Sequence, residues 1–182
     1  VNHMKNKTIF ITGANQGLGH ALALATARRG ATVILSGRNA EKLSHLYDEI
    51  VESGAPEPFL MPLDFSQTPI EGFIQIAEAI KKECGHLDGL IHCAAELGAV
   101  APLSAQSVEH LRSTWVVNVL APITLTRACE GVLRAAPSPT RSPTTTKPVA
   151  MPMRAFWSFT ITVRSRAIAW VTARPARTAR SA

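Results

Sequence analysis

A closely spaced run of glycines near the start of the chain is the strongest chemical signal in the sequence. The run TGANQGLG occupies residues 12–19, directly after an apolar segment and before helix-forming residues that continue to Arg29. Glycines between a strand and a helix let the backbone approach a pyrophosphate, and the helix start offers free N–H groups and a positive dipole end. The alternative interpretation is a turn that serves only strand-to-helix packing. The strand and the helix on either side favour the phosphate site.

The cysteines and histidines form no comparable pattern. The three cysteines contain no CxxC pair, and the six histidines show neither HxxxH nor HExxH spacing. We therefore expect no metal site, and we expect reduced thiols, which are typical of a cytoplasmic protein. We also expect no membrane span, because no apolar run approaches the length of about eighteen residues that a span needs.

The elements that must position the glycine run alternate in type over the first 133 residues. Strands are predicted at Thr8–Thr12, Ala31–Ser36, Phe59–Leu63 and Leu87–Ala94. Helices are predicted between the strands and again from Ser107 onward, where Pro122 predicts a kink. Strands that are apolar throughout and separated by helices indicate a parallel sheet covered on both faces. The predicted fold class is α/β, a doubly wound parallel sheet of the Rossmann-like type.

The composition changes abruptly near Arg134. Residues 1–133 contain 10 Lys and Arg and all 13 Asp and Glu, whereas residues 134–182 contain 9 Lys and Arg, six prolines and no acid or glycine. We therefore divide the chain into a Rossmann-type domain, 1–133, which carries the expected phosphate site, and an atypical basic tail, 134–182, rich in Pro, Arg, Thr and Ala. The parallel sheet is expected to be truncated after about four strands, leaving the far edge of the fourth strand unpaired and an irregular tail that is largely disordered from about residue 135.

Three origins stay open for this tail. It is either a translation of the wrong reading frame, a basic arm that contacts nucleic acid or anionic membrane, or a divergent replacement of a globular segment. The run from Phe156 to Val163 is strand-like in composition, and four aromatic residues among arginines favour the basic arm. The lack of any acid or glycine over 49 residues favours the reading-frame interpretation.

The glycine run and two later motifs resemble the short-chain dehydrogenase/reductase family. The cofactor motif of that family, TGxxxGxG, is present as TGANQGLG. Asp64, in Leu63-Asp64-Phe65, resembles the family's aspartate that binds the adenine amino group, and Asn118 resembles its active-site asparagine. The resemblance covers about residues 5–133. It implies an oxidoreductase that transfers a hydride between a nicotinamide cofactor and a carbonyl or secondary alcohol.

The loop after the second strand bears on which nicotinamide cofactor is bound. A ribose 2′-hydroxyl needs an acidic acceptor in this loop, whereas a 2′-phosphate needs a guanidinium. The loop contains Arg38 and no acid, so NADP(H) is the expected cofactor; the alternative for Arg38 is a solvated loop charge. The residues expected to bind the cofactor are Gly13, Asn15, Gln16, Gly17, Leu18, Gly19, Arg38, Asp64, Phe65, Cys93, Ala94 and Ala95.

Two active-site motifs of the family are altered or missing. Cys93-Ala94-Ala95 replaces the family's Asn-Ala-Gly, so the asparagine's hydrogen bond, worth about 1 kcal/mol, is lost and the Ala95 methyl is expected to crowd the nicotinamide ribose. Cys93 itself is interpreted as a small buried hydrophobe. The family's Tyr-x-x-x-Lys is absent, because Val51 follows the single tyrosine, Tyr47, at the fourth place. Asn118 is therefore the one catalytic residue that the chain retains.

Two functions stay open on these grounds. The first is an NADP(H)-dependent short-chain oxidoreductase that acts on a small-molecule carbonyl or alcohol, with this chain inactive because the tyrosine and lysine are missing. The second is a non-catalytic nucleotide-binding or interaction protein built on the same fold. Neither a metal nor nucleic acid is expected as a partner, and a homo-oligomer is left open.

Overall fold

The structure is a computed structural model that describes residues 4–137, 159–163 and 169–171. Its strands and helices alternate from the first strand onward, as the hydrophobic pattern predicts. In chain order they are β1 (Thr8–Thr12), α1 (Gly17–Ala27), β2 (Thr32–Gly37), α2 (Ala40–Glu52), β3 (Phe59–Pro62), α3 (Ile70–Cys84), β4 (Gly89–His92), α4 (Val108–Trp115), α5 (Ala121–Ala128), α6 (Glu130–Arg134), β5 (Phe159–Val163) and β6 (Ala169–Val171).

The first four strands form the parallel part of one sheet, in the order β3-β2-β1-β4. The predicted α/β, doubly wound, Rossmann-like class is therefore confirmed. The carboxyl ends of β1, β2 and β4 meet at one edge, where Thr12 is in register with Ser36 on one side and with His92 on the other. In a sheet of this type, ligands bind outside this edge.

The expectation that the far edge of β4 is unpaired is wrong. β5 pairs antiparallel to β4, with Thr160 opposite His92 and Val163 opposite Gly89, and β6 pairs antiparallel to β5. The physical reason is composition: the segment Phe159–Val163 is made of aromatic and β-branched residues, which suit a sheet ladder even inside an acid-free tail. The other expectations for the tail, including its disorder, concern residues that lie mostly outside the described ranges.

Each face of the sheet is covered by its own apolar layer. One layer packs β1 and β2 against α1 and α2, and includes Ile11, Leu35 and Leu46. The other packs the opposite face against α3, α5 and α6, and includes Phe10 and Leu125. Because both faces are buried, the strands are apolar throughout, and the edge at their carboxyl ends is where a ligand can bind.

The helix that follows β4 is interrupted by one π-helical turn, Val116–Leu120, which joins α4 to α5. Pro122 lies one residue into α5, where its missing N–H cannot donate to the carbonyl of Asn118 four residues earlier. The sequence predicts a kink at this proline, and the structure places the irregularity in the preceding turn. π-helical turns occur frequently at functional sites, and this one contains Asn118.

Candidate functional site

A cleft of about 470 Å³ opens at the carboxyl ends of β1, β2 and β4. It is lined by all twelve residues for which the sequence predicts cofactor binding, and by five more: Gly37, Asn39, Lys42, Leu63 and Val117. We call the part formed by residues 13–19 and 37–42 the glycine end. The part lined by Cys93, Ala94 and Ala95 is the β4 end; Glu96 and Asn118 adjoin it but do not line the cleft.

The glycine turn at the glycine end is built by close backbone packing. Gly13 has a φ of +68°, and a Cβ placed there would lie 2.5 Å from the backbone N of Ala94. A Cβ on Gly19 would collide with the carbonyl oxygen of Gly13. Gly17 also has a positive φ, of +58°, but its Cα faces open space. Gly13 and Gly19 therefore serve the packing of the turn, while Gly17 leaves room for an approaching ligand.

Asn15 holds this turn against the loop that follows β2. Its Nδ2 donates to the carbonyl of Asn39 at 2.6 Å, and the backbone N–H of Ala14 donates to the carbonyl of Ser36 at 2.8 Å. Gly37 lies so close to the Asn15 amide that a Cβ at this position would collide with it. The two loops thus form one unit, and the Asn15 side chain is used to build the cleft wall.

Two cations stand on the rim of the glycine end. Arg38 is exposed and makes no hydrogen bond or ion pair with the residues that the structure describes. Asn39 caps α2, as its side-chain oxygen accepts from the N–H of Lys42 at 2.9 Å. The Lys42 ammonium donates to Oε1 of Gln16 at 3.2 Å. The rim is therefore positively charged, with a free guanidinium.

Asp64 and Phe65 form the wall of the cleft that follows β3. Oδ1 of Asp64 accepts from the N–H and the hydroxyl of Ser66, at 2.9 and 2.7 Å, which fixes the turn after the strand. Phe65 is buried, and its ring stacks on that of Phe73 at a centroid distance of 5.9 Å. Val117, on the π-helical turn, also lines the cleft.

The hydroxyl of Thr12 ties β1 to the β4 end. It accepts from the N–H groups of Cys93 and Ala94, at 3.1 and 3.2 Å, and lies 3.5 Å from the carbonyl of Ile91. This tie uses the backbone N–H of residue 93. The ends of β1 and β4 therefore stay joined although Cys93 lacks the side-chain amide of an asparagine. The sequence argument missed Thr12, because a threonine that ends a strand shows no sign of a cross-strand partner.

Burial shifts the pKa of two neighbouring side chains, the partly buried Cys93 and the buried His92, toward the uncharged form. Cys93 packs against the apolar layer on the α1 side, and burial raises the pKa of its thiol to about 11. The sequence predicts a buried hydrophobe at this position, whereas the structure shows a partly buried side chain that also lines the cleft. A protonated thiol is a poor nucleophile. His92 points to the other layer, where its Nε2 lies 2.9 Å from Oγ1 of Thr126, and burial lowers its pKa to about 4.

Asn118 is engaged with the loop that follows β4. Its Nδ2 donates to the carbonyl of Glu96 at 2.8 Å, and its Oδ1 accepts from the N–H of Glu96 at 2.9 Å. The hydroxyl of Ser113 donates to Oε2 of Glu96 at 2.7 Å, so α4 also holds this residue. The Asn118 side chain therefore positions the loop beside the cleft. The backbone carbonyl of Asn118 has no α-helical donor, because Pro122 has no N–H.

Two kinds of feature are absent from the described part of the chain. It contains no group of three or more metal-binding side chains. Within the same ranges, no helix combines the length and the apolar character needed to cross a bilayer.

Comparison with known proteins finds similarity over the same part of the chain. The family model for short chain dehydrogenases matches residues 7–136. The oxidoreductase YciK of Escherichia coli is 38% identical over 125 residues, which cover 69% of this chain and 50% of YciK. The chain thus spans about half the length of the curated relatives it matches.

Solved structures give the same result at the level of the fold. A Shigella flexneri protein solved in complex with NADP is 36% identical, with a TM-score of 0.72 over 74% of this chain and 56% of that one. An Escherichia coli protein complexed with NADPH is 37% identical, with a TM-score of 0.70 over 74% and 56%. A Pseudomonas syringae short chain dehydrogenase is 34% identical, with a TM-score of 0.70 over 73% and 54%.

Proposed function

Because the chain belongs to the short-chain dehydrogenase family, we propose that its cleft binds NADP(H) and that this chain does so without turning over a substrate. The observation that carries the proposal is the glycine end: a turn that opens at Gly17 near the guanidinium of Arg38, which has no partner among the described residues. A pyrophosphate and a 2′-phosphate are the two anions of NADP(H), and the glycine end offers one site for each.

The residues of the cleft fit the parts of this cofactor in order. The glycine turn and the start of α1 suit the pyrophosphate, because the open side of Gly17 lets backbone N–H groups approach it. The wall formed by Asp64 and Phe65 suits the adenine, and Ala95 lies where the nicotinamide ribose is expected. Bound NADP(H) supplies or accepts a hydride at a carbonyl or alcohol carbon. The chain's own residues bind and orient it.

The choice of NADP(H) over NAD(H) rests on charge. The loop 36–39 at the end of β2 has no acid to accept from a ribose 2′-hydroxyl, and Arg38 has no competing partner among the described residues. A guanidinium forms two parallel bonds to a phosphate, which is why arginine suits this position. The similar Shigella flexneri and Escherichia coli proteins, solved with NADP and NADPH, support the same choice.

The proposal of inactivity rests on the missing proton donor. Tyr47, the single tyrosine, does not line the cleft, and its hydroxyl donates to Oε1 of Glu57 at 2.5 Å. This hydrogen bond raises the pKa of Tyr47, whereas a proton-transferring tyrosine needs a lowered one. The side-chain amide of Asn118 is hydrogen-bonded to the backbone of Glu96, and an amide does not act as a proton donor in catalysis. The function of this chain is then cofactor binding, which is the second function left open by the sequence.

Equilibrium titration of the purified chain with NADPH and NADH tests the binding proposal. We expect NADPH to bind at least about tenfold more tightly, because a guanidinium–phosphate contact contributes about 1.5–3 kcal/mol. Arg38→Ala should remove this preference by weakening NADPH alone. Arg112→Ala, a matched change at an exposed position on α4 outside the cleft, should leave it intact. Equal affinities for the two cofactors in the unsubstituted chain would contradict the proposal.

A turnover assay tests the inactivity. NADPH oxidation in the presence of ketones, aldehydes and quinones should not exceed the background without protein. A rate on the order of 1 per second, which is ordinary for an enzyme, would show that another residue transfers the proton. Because this assay is independent of the titration, binding and turnover are judged separately.

A cytoplasmic location is a further part of the proposal. It is supported by the three cysteines, which are all unpaired and of which Cys129 is fully buried. Reduced thiols are typical of the cytosol. Cell fractionation with an antibody against the chain measures this directly, and recovery in an extracytoplasmic fraction would contradict it.

A further inference from the structure

Lys42 lies on the rim of the cleft in a position that electrostatics alone does not favour. It occupies the first turn of α2, a helix of 13 residues, where the helix dipole favours anions and disfavours cations. The acid of this turn, Glu41, makes no ion pair with Lys42 in the described part of the chain. The ammonium instead donates to a neutral amide oxygen, that of Gln16, at 3.2 Å. Its charge is therefore uncompensated.

The neighbours of Lys42 indicate that an anion binds beside it. Arg38 lines the same rim and also has no acidic partner among the described residues, so two uncompensated cations stand on one side of the cleft. Gln16, which holds the ammonium, is the residue before α1 in the glycine turn. The bond from Lys42 to Gln16 thus spans the space between the expected sites of the 2′-phosphate and the pyrophosphate. Two like charges that share a solvent-facing rim repel each other unless an anion lies between them.

We propose that Lys42 is a second specificity-determining residue for the 2′-phosphate of NADP(H), held by Gln16 until the cofactor binds. This inference rests on the proposed function, since it assigns a further contact in the same cleft. On binding, the Lys42 ammonium exchanges the neutral Gln16 oxygen for a phosphate oxygen, and Arg38 contacts the same phosphate from the loop. A phosphate monoester carries a charge of about −1.5 to −2 at pH 7, so it offsets most of the positive charge of the two cations.

The expected contribution of Lys42 is smaller than that of Arg38. A lysine offers a single charged group on a flexible and exposed stem, whereas the guanidinium is a planar fork that binds two oxygens at once. We expect Lys42→Gln to weaken NADPH about fivefold and to leave NADH within about twofold, which is the range of an exposed charge pair. Lys42→Arg should retain the preference for NADPH. The effect of Lys42→Gln should shrink at high salt, because exposed charges are screened.

The experiment titrates the 182-residue chain and its variants with NADPH, NADH, 2′,5′-ADP and 5′-AMP. The last two are the adenosine halves with and without the 2′-phosphate, so they report on the glycine end without the nicotinamide. Lys82→Gln, the same change at an exposed position on α3 outside the cleft, is the matched control and should change nothing. The double variant Arg38→Ala with Lys42→Gln should lose less than the product of the single effects, because both side chains contact one phosphate.

The outcomes separate this inference from the proposed function. A selective loss of NADPH and 2′,5′-ADP affinity in Lys42→Gln, restored in Lys42→Arg, supports it. A chain that prefers NADPH but is unaffected by Lys42→Gln overturns the role of Lys42 and leaves the proposed function standing. An equal loss for all four nucleotides also overturns it, since Lys42 would then serve the turn or the pyrophosphate. A chain that binds neither cofactor overturns both.

Discussion

The two ends of the cleft are built in different ways. The glycine end presents groups that suit a nucleotide: a glycine turn that Asn15 holds against the next loop, and the guanidinium of Arg38, which has no partner among the described residues. At the β4 end, side chains mainly hold the backbone in place, as Thr12 does for Cys93 and Ala94 and as Asn118 does for Glu96. Among the described residues, one end of the cleft thus presents groups that suit a nucleotide, while the other consists mainly of ties that hold the backbone.

This difference follows from which parts of the chain contribute to each end. The glycine end is formed by residues 13–19 and 37–42, within the first two strand–helix units. In the family that the sequence resembles, the tyrosine and lysine come from a later helix, in the part of the chain where the basic tail stands here. The nucleotide site of this fold is therefore formed by the strand–helix units at the start of the domain. Proton transfer in the family depends on the later helix that carries the tyrosine and lysine.

The largest expected effect breaks the glycine end. Gly13→Ala places a Cβ 2.5 Å from the backbone N of Ala94 in a residue with a φ of +68°. The left-handed conformation costs an alanine about 1–2 kcal/mol, and the forced shift of packed backbone adds about 1–3 kcal/mol. We expect urea unfolding to show a loss of about 4 kcal/mol in the free energy of unfolding, together with loss of NADPH binding.

Gly17→Ala is the matched control, because it introduces the same methyl in the same turn at a φ of +58° but into open space. It should lower the free energy of unfolding only by the conformational cost, about 1 kcal/mol. The difference between the two variants isolates the close approach of the turn to β4. Equal losses would show that backbone conformation, and not packing against Ala94, makes Gly13 necessary.

The second effect concerns pH and His92, the last residue of β4. Burial lowers the pKa of His92 from 6.5 to about 4, so between these values the unfolded chain binds a proton that the folded chain does not. Above pH 6.5, His92 is neutral in both states and does not lower the free energy of unfolding. As the pH falls from 6.5 toward 4, the free energy of unfolding decreases by up to about 3 kcal/mol. We expect the free energy of unfolding, measured by urea at a series of pH values, to fall over this window.

Two variants identify His92 as the source. His92→Gln should flatten the dependence in this window, whatever it does to the absolute stability. Thr126→Ser keeps the hydroxyl that lies 2.9 Å from Nε2, so it should retain the slope. An unchanged slope in His92→Gln would mean that other groups cause the acid sensitivity.

Sequence reasoning and structure agree where the signal is local. The four parallel strands and the glycine turn are visible as apolar runs and glycine spacing, and all twelve predicted cofactor residues do line one cleft. Contacts between distant segments left no such signal: the Thr12 hydroxyl serves backbone N–H groups about 80 residues away, and β5 pairs with β4 across a tail of unusual composition. Lys42 was missed because a lysine on an amphipathic helix resembles any solvated charge.

The smallest expected effect sharpens the comparison at the β4 end. Ala95→Gly removes the methyl that is expected to crowd the nicotinamide ribose and restores the glycine that the family motif has at this place. NADPH should then bind about threefold more tightly, a gain of less than about 1 kcal/mol. The affinity for 2′,5′-ADP should stay constant, because it lacks the nicotinamide half. Ala101→Gly, an equally exposed change in the same loop, controls for the added backbone freedom. A gain shared by both nucleotides, or seen in both variants, would mean that Ala95 acts through the loop and not through contact with the ribose.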